Sequence, residues 1–224
     1  MPVVSWGEIT PEEVRRRHKG GALLVVSHCA KSKNVDWTAV RETLGRAGLP
    51  TPGFDLELEE IYREVLRDFV KPAVQMYGGS FKAVRALVED LRRCVDVDLY
   101  VLSARYGLIE AGRPVVPYEA TLEGLGREEV ERWAESRGVP AKFAELLGRG
   151  YGTIFAVLPG NYAKALGQAL TRLLSLENAL LVIPASLSGR DPKALVVRNR
   201  GVLSRNKDLT QAKSLLTGAF CRQY

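Results

Sequence analysis

The 224-residue sequence has few of the residues that most often mark a chemistry, with three cysteines (Cys29, Cys94, Cys221), two histidines (His18, His28) and two methionines. Three widely spaced cysteines with no Cys-x-x-Cys pair argue against a disulfide framework and fit a reducing compartment. Two histidines cannot build a His-rich metal centre or a Ser–His–Asp set, and nothing else has metal-ligand spacing. The phosphate-cradling Gly-x-x-x-x-Gly-Lys-Ser/Thr loop is absent as well. The expectation is a protein without metal or cofactor. No apolar run approaches the roughly 20 residues of a membrane span; the best are short stretches such as Ala179 to Pro184. The N-terminal Met-Pro-Val-Val-Ser-Trp lacks the basic-then-apolar order of a secretory signal. A soluble, cytoplasmic protein with no membrane partner is expected. The low Asn, Gln, Met and Cys content follows a thermophilic trend.

Acidic residues are scarce in the last sixth of the chain. From Arg190 to Tyr224 eight basic residues face only Asp191 and Asp208, whereas the first 189 residues balance 24 basic against 24 acidic side chains. The net +6 is therefore carried by one segment, 190–224, which includes Arg198, Arg200, Arg205 and Lys207. Such a segment is an electrostatic footprint for phosphate-bearing partners, or else a solvated helix and loop with surplus cations.

No internal repeat, low-complexity tract or linker is evident, which suggests one domain over 1–224. Thr10-Pro11-Glu12-Glu13 reads as a helix start, with Thr10 as N-cap and Pro11 at the first position. Ala22 to Ser27 is a short, continuously apolar run, the pattern of a strand buried on both faces. Helical periodicity covers 36–47, 55–70, 81–93, 127–136, 140–147, 161–174 and 208–216. Strands are expected at 98–103, 153–158 and 179–183, with a short fifth at 194–197. The stretch 105–123 is long and weakly patterned, which suggests function. Strands alternating with helices predict an α/β fold: a mainly parallel sheet of four to five strands flanked by helices in a three-layer αβα arrangement.

Ligands of open parallel sheets bind beyond the carboxyl ends of the strands. That rule selects four segments: Ser27 to Lys33, Ser103 to Gly107, Pro159 to Tyr162 and Pro184 to Arg190. In the first, Lys31 and Lys33 suit a phosphate or carboxylate, or simply face water. Cys29 is either a nucleophile activated by a neighbouring lysine or a small buried thiol. His28, next to it on an extended strand, points to the opposite face and supplies no base. In the second, Arg105 and Tyr106, with Tyr118 further on, offer a cation and phenols for phosphate and base, although Tyr118 also suits the core. Tyr77-Gly78-Gly79-Ser80 precedes a helix whose N-terminus attracts anions or is merely capped by Ser80. Pro159-Gly160-Asn161-Tyr162 reads as a ligand-facing turn or a tight turn with an Asn cap. The carboxylates available for acid–base work are Glu110, Glu119 and Glu123, none singled out by spacing.

Three of these segments, Ser27-His28-Cys29-Ala30-Lys31-Ser32-Lys33, Tyr77-Gly78-Gly79-Ser80-Phe81, and Leu102-Ser103-Ala104-Arg105-Tyr106-Gly107-Leu108 leading to Pro117-Tyr118, resemble an uncharacterised domain family related to the YaaA-type peroxide-stress proteins. The likeness covers roughly residues 22 to 122, with a distant similarity to uracil-DNA-glycosylase-like α/β domains. The resemblance implies DNA binding and protection from oxidative damage, and a pocket lined by Cys29, Lys31, Lys33, Tyr77, Gly79, Ser103, Tyr106, Gly107 and Tyr118. Arg105, at a position that varies in the family pattern, joins them on chemistry alone. No helix–hairpin–helix signature accompanies these motifs.

The leading expectation is a nucleic-acid- or nucleotide-binding protein, with nucleobase modification or glycosidase-like chemistry in the strand-end crevice. The alternatives are a non-catalytic DNA- or RNA-binding protein using Arg198, Arg200, Arg205 and Lys207, and a stress-related or scaffolding protein.

Overall fold

Pro11 opens helix α1 (Pro11–Arg17), and the Thr10 hydroxyl accepts the Glu13 amide at 3.2 Å, as the sequence leads one to expect. The computed structural model describes residues 3–199 and 205–221. Strand β1 (Leu23–His28) is buried along its whole length. Helix α2 (Trp37–Arg46) starts at Asp36, whose carboxylate accepts the Thr38 and Ala39 amides. The periodic stretch 55–70 is not one helix. The Asp55 carboxylate captures the Glu57 amide at 2.7 Å, an Asx-type turn that delays the helix. Helix α3 (Glu59–Val65) then gives way to a 3-10 turn, Arg67–Phe69, ahead of β2 (Lys71–Pro72) and α4 (Ala73–Met76). Helix α5 (Phe81–Leu91) buries Phe81, Val84, Leu87, Val88 and Leu91, a stripe at helical spacing.

The weakly patterned stretch after β3 (Val97–Ser103) contains two strands, β4 (Gly107–Glu110) and β5 (Pro114–Val115). Gly107 reverses the chain at φ +72°, and a Cβ there would come within 2.9 Å of the Arg137 Cβ. β4 folds antiparallel onto β3, with Leu108 opposite Leu102, while β5 pairs with β2. The main sheet therefore has six strands, one more than the upper expectation. Helices α6 (Arg127–Ser136) and α7 (Val139–Leu147) fall where periodicity places them. After β6 (Thr153–Val157) the expected single helix is broken at Gly167, whose φ is +53°, into α8 (Gly160–Lys164) and α9 (Gln168–Leu174). β7 (Ala179–Ile183), β8 (Leu195–Arg198) and α10 (Arg205–Phe220) complete the described chain.

The strand order is β4-β3-β1-β6-β7-β8, parallel except for β4. Helices α1, α5 and α10 pack together, as do α6 to α9, giving layers on the two faces of the sheet. The chain leaves β1 toward β3 on one side and leaves β6 toward β7 on the other. The switch point of this doubly wound sheet thus lies between the carboxyl ends of β1 and β6.

The sparse cysteines do form one disulfide. Cys94, just past α5, is bonded to Cys221, just past α10, across 127 residues. The expectation against disulfides failed because the two meet only once α10 has packed on α5. Further ties hold α10: Arg15 Nε donates to the Ala219 carbonyl at 2.9 Å, Lys213 pairs with Asp90, and Trp6 Nε1 donates to Asp208 at 3.1 Å.

Candidate active site at the strand ends

The loop after β1 turns its second lysine inward. Lys33 Nζ donates to the Ala30 and Lys31 carbonyls at 2.9 and 3.0 Å and lies 4.2 Å from the centre of the Tyr118 ring. Two carbonyls and an aromatic face thus surround the ammonium. Burial pulls its pKa below the usual lysine range, against the opposing influence of Cys29 and Glu119. Backbone bonds fasten this loop to the segment before α5, from the Asn34 amide to Met76 and from the Gly78 amide to Ser32.

Beneath Lys33 runs a chain of hydroxyls. The Tyr77 and Tyr118 phenols are 3.0 Å apart, Ser103 Oγ is 2.9 Å from Tyr118 Oη, and the Tyr106 amide donates to Ser103 Oγ at 3.2 Å. Burial, reinforced by the nearby Cys29 sulfur, pushes both Tyr77 and Tyr118 far up from the ordinary phenol value. Tyr106 is pushed up to about 12 by burial and then by Glu59. All three are neutral hydrogen-bonding groups at physiological pH. Cys29 completes the cluster: its sulfur accepts the Ala104 amide at 3.4 Å and lies 3.4 Å from the Tyr162 hydroxyl. The Tyr162 ring also packs 4.9 Å from that of His28. His18 is remote from the cluster, on Thr153 at the amino end of β6.

Six expected residues therefore converge: Cys29, Lys33, Tyr77, Ser103, Tyr106 and Tyr118. Lys31 and Gly79 are exposed at the rim. Arg105 does something else. It is fully buried, and its guanidinium binds Glu59 Oε2 at 2.9 Å and the Gly53 carbonyl at 2.6 Å. Glu59 also accepts the Tyr106 hydroxyl at 3.0 Å and pairs with Arg63. Arg105 thus anchors the 53–59 segment, and Gly107 serves the chain reversal described above. The first amides of α5 bond to the Gly78, Gly79 and Ser80 carbonyls, and Ser80 makes no side-chain cap bond. Glu110 accepts from Tyr100 at 2.9 Å midway along β3, Glu119 pairs with exposed Arg41, and Glu123 is exposed.

Sequence reasoning missed Glu59, which nothing distinguishes from its acidic neighbours on α3. Tyr162 and Asn161, in a segment the strand-end rule did select, were undervalued. Asn161 does not cap its own helix. Its amide donates to the Leu122 and Leu125 carbonyls at 2.8 and 3.0 Å. The Leu122 amide meets the Tyr162 hydroxyl at 3.5 Å, and the Glu119 amide donates to Pro52. Residues 117–126 thereby cover the switch point, leaving Cys29 only 3% and Lys33 only 6% exposed.

The basic segment is divided between the two ends of the sheet. Arg198 and Lys207 are exposed near the carboxyl end of β8, whereas Lys193 precedes β8 at its amino end. Arg205 begins α10, and Arg200 lies outside the described residues. Among the described residues no group of three or more His, Cys, Asp or Glu could hold a metal. None of the described helices is long and apolar enough to cross a membrane.

A doubly wound αβα sandwich with a buried thiol, amine and phenols at its switch point is the class of protein these features define. Residues 66–181 match a family of unknown function (DUF6884), and the chain belongs to that family. The match takes in Tyr77, Gly79, Ser103 to Gly107, Tyr118 and Tyr162, and leaves Cys29, Lys31 and Lys33 of the first loop outside it. No curated protein matches the chain.

Proposed function

We propose that the protein binds a nucleotide, or a nucleobase carried by a nucleic acid, at the carboxyl ends of β1, β3 and β6, and that the base is the target of its chemistry. The observation that supports this reading is the convergence of a thiol, an amine, a hydroxyl and phenols from separate loops on the switch point. Apolar side chains would fill that volume without the desolvation cost of an amine and several hydroxyls. Buried titratable groups of this kind concentrate at functional sites. Phenols offer a base both a stacking face and a polar edge. Lys31 at the rim serves the phosphate, and the Cys29 thiol with the Ser103, Tyr118 and Tyr77 hydroxyls meets the polar edge of the base. Access requires residues 119–126, beyond Tyr118, to swing away. A distant relationship to YaaA-type domains belongs to the same proposal.

Titration calorimetry with nucleoside monophosphates at low and high salt tests it. Binding is expected to persist at high salt, to weaken in Lys31→Ala, and to be lost in Tyr118→Phe, which keeps the ring and removes the hydroxyl. Affinity that disappears with salt and ignores both substitutions would sink the reading.

One observation favours the alternative of a non-catalytic nucleic-acid binder. Lys33 and the clustered phenols already have partners within the protein. That alternative expects affinity governed by salt and insensitive to Tyr118→Phe.

A further inference from the structure

A basic concavity lies at the other end of the sheet, away from the crevice. The run Arg15-Arg16-Arg17-His18-Lys19 ends α1. Arg16, Arg17, His18 and Lys19 line a cavity of about 530 Å³ together with Glu177, from the turn before β7, and Lys193, from the turn before β8. Arg17 builds its floor: the guanidinium binds Glu13 at 3.0 Å and the carbonyls of Lys193 and Glu177 at 2.9 and 3.1 Å, joining three connections. Arg15 is directed away, onto the Ala219 and Gly218 carbonyls. His18 is engaged by Thr153 and the Phe220 ring.

The remaining cations outnumber the carboxylates near them. The Arg16 side chain is 76% exposed and 3.9 Å from a Glu13 oxygen that Arg17 already holds. Lys19 and Lys193 are exposed, and neither side chain is in an ion pair among the described residues. Elsewhere surface arginines sit beside carboxylates, as in Arg41–Glu119, Arg127–Glu131 and Arg132–Glu128. Three such cations face the single carboxylate of Glu177 that lines the same concavity, so the bowl keeps a net positive charge that an added anion relieves.

We infer that this concavity is a docking surface for the phosphate backbone of a nucleic acid. The inference rests on the nucleic-acid reading above and supplies it with a contact surface. A single tightly held phosphate fits poorly, because a helix C-terminus turns its carbonyls and the negative end of its dipole toward the bowl. Long lysine and arginine side chains reach past that end and suit a charge spread along a chain. The surface and the crevice lie at opposite ends of the parallel strands, and β1 alone, six residues long, spans about 20 Å. A nucleic acid held by the concavity reaches the crevice only by passing around the sheet, so backbone contact and base contact are made by different stretches of the same strand.

Fluorescence anisotropy of a short labelled DNA duplex, measured across a salt series, provides the test. The doubly substituted Lys19→Gln/Lys193→Gln protein is expected to lower the slope of log affinity against log salt by about 1.8, at about 0.9 per phosphate contact. Arg127→Gln/Arg132→Gln, at surface arginines already paired with Glu131 and Glu128, is expected to leave the slope unchanged. Inorganic phosphate, followed by thermal shift, is expected to bind far more weakly than the duplex. The inference is overturned if the duplex does not bind at low salt or if the slope survives Lys19→Gln/Lys193→Gln. Equal binding of inorganic phosphate, or of poly-glutamate, overturns it as well. Mononucleotide titration of Lys19→Gln/Lys193→Gln separates the two failures. Intact mononucleotide binding with a lost duplex slope supports both sites, and lost mononucleotide binding in the wild type removes the crevice alone.

Discussion

The Cys29 sulfur and the Tyr162 hydroxyl lie 3.4 Å apart, and through this contact the loop after β1 touches the helix after β6. These loops leave the sheet in opposite directions, so their contact marks the crevice itself. It is filled by the protein's own segment 117–126, pinned through Asn161 and Tyr162.

Opening of that cover has a direct readout, because Cys29 is the free cysteine of the described chain and is buried. A thiol reagent applied without reductant is expected to label native protein slowly. Asn161→Ala removes two hydrogen bonds, each of about 1 kcal/mol, and is expected to speed labelling about tenfold or more. Labelling at the wild-type rate would show that the cover is not the gate.

Glu59 neutralises a guanidinium with no exposed surface. Glu59→Ala leaves Arg105 buried without a counter-charge and is expected to cost about 3–5 kcal/mol, read from urea unfolding. Replacing Arg105 and Glu59 together by apolar residues is expected to cost less than Glu59→Ala alone. The reverse order would mean that the pair is not what matters at this position.

The Cys94–Cys221 bond closes a loop with a sequence separation of 127 residues, and losing such a constraint typically costs about 2–4 kcal/mol. Thermal melts should therefore shift downward on reduction, and equally in Cys94→Ser. Thiol counting in denaturant gives an independent check, with one reactive thiol before reduction and three after.

Partial burial lowers the His18 pKa below 6.5, so below that pH the unfolded chain takes up a proton the folded one resists. Stability from this group is present above 6.5 and declines as pH falls from there toward the lowered folded-state pKa. In His18→Asn that part of the acid dependence should vanish. Unfolding curves of the two proteins over mildly acidic pH provide the comparison, and parallel pH profiles would refute the assignment.

Much of the fold was readable because its signals are local. The run Leu23-Leu24-Val25-Val26 is apolar at every position, as only a strand covered on both faces tolerates, and it forms the centre of the sheet. The Thr10 and Asp36 caps set their helix starts within a single turn. β4 escaped notice because four residues, Gly107 to Glu110, carry too little pattern, and its place is set by pairing with β3. The break at Gly167 and the early end of α3 were likewise decided by backbone conformation and packing.

The candidate site was legible in its membership and not in its exposure. The strand-end rule brought Cys29, Lys33, Ser103 and Tyr106 together, and Tyr118 came from the stretch that follows the second segment. Nothing in the sequence indicates that Lys33 folds back onto two carbonyls, that Arg105 is committed to Glu59, or that residues 117–126 cover the cluster. Those facts depend on partners 2 to 46 residues away along the chain. The basic segment shows the same limit. As a run of letters it is one feature, yet β8 separates Lys193 at its amino end from Arg198 at its carboxyl end, and α10 returns Lys213 to Asp90.

The bond between Cys94 and Cys221 also determines what a protease can release. A single cut anywhere between the two leaves both products covalently attached, so a nicked molecule keeps its intact mass on a non-reducing gel and falls into fragments only with reductant. Peptides freed without reductant must come from outside that ring or from two cuts within it. The disulfide thus turns an ordinary digest into a map: after a cut inside the ring, the fragment that runs from β1 and the Cys29 loop through Cys94 remains tied to α10, whereas a cut before Cys94 frees β1 at once.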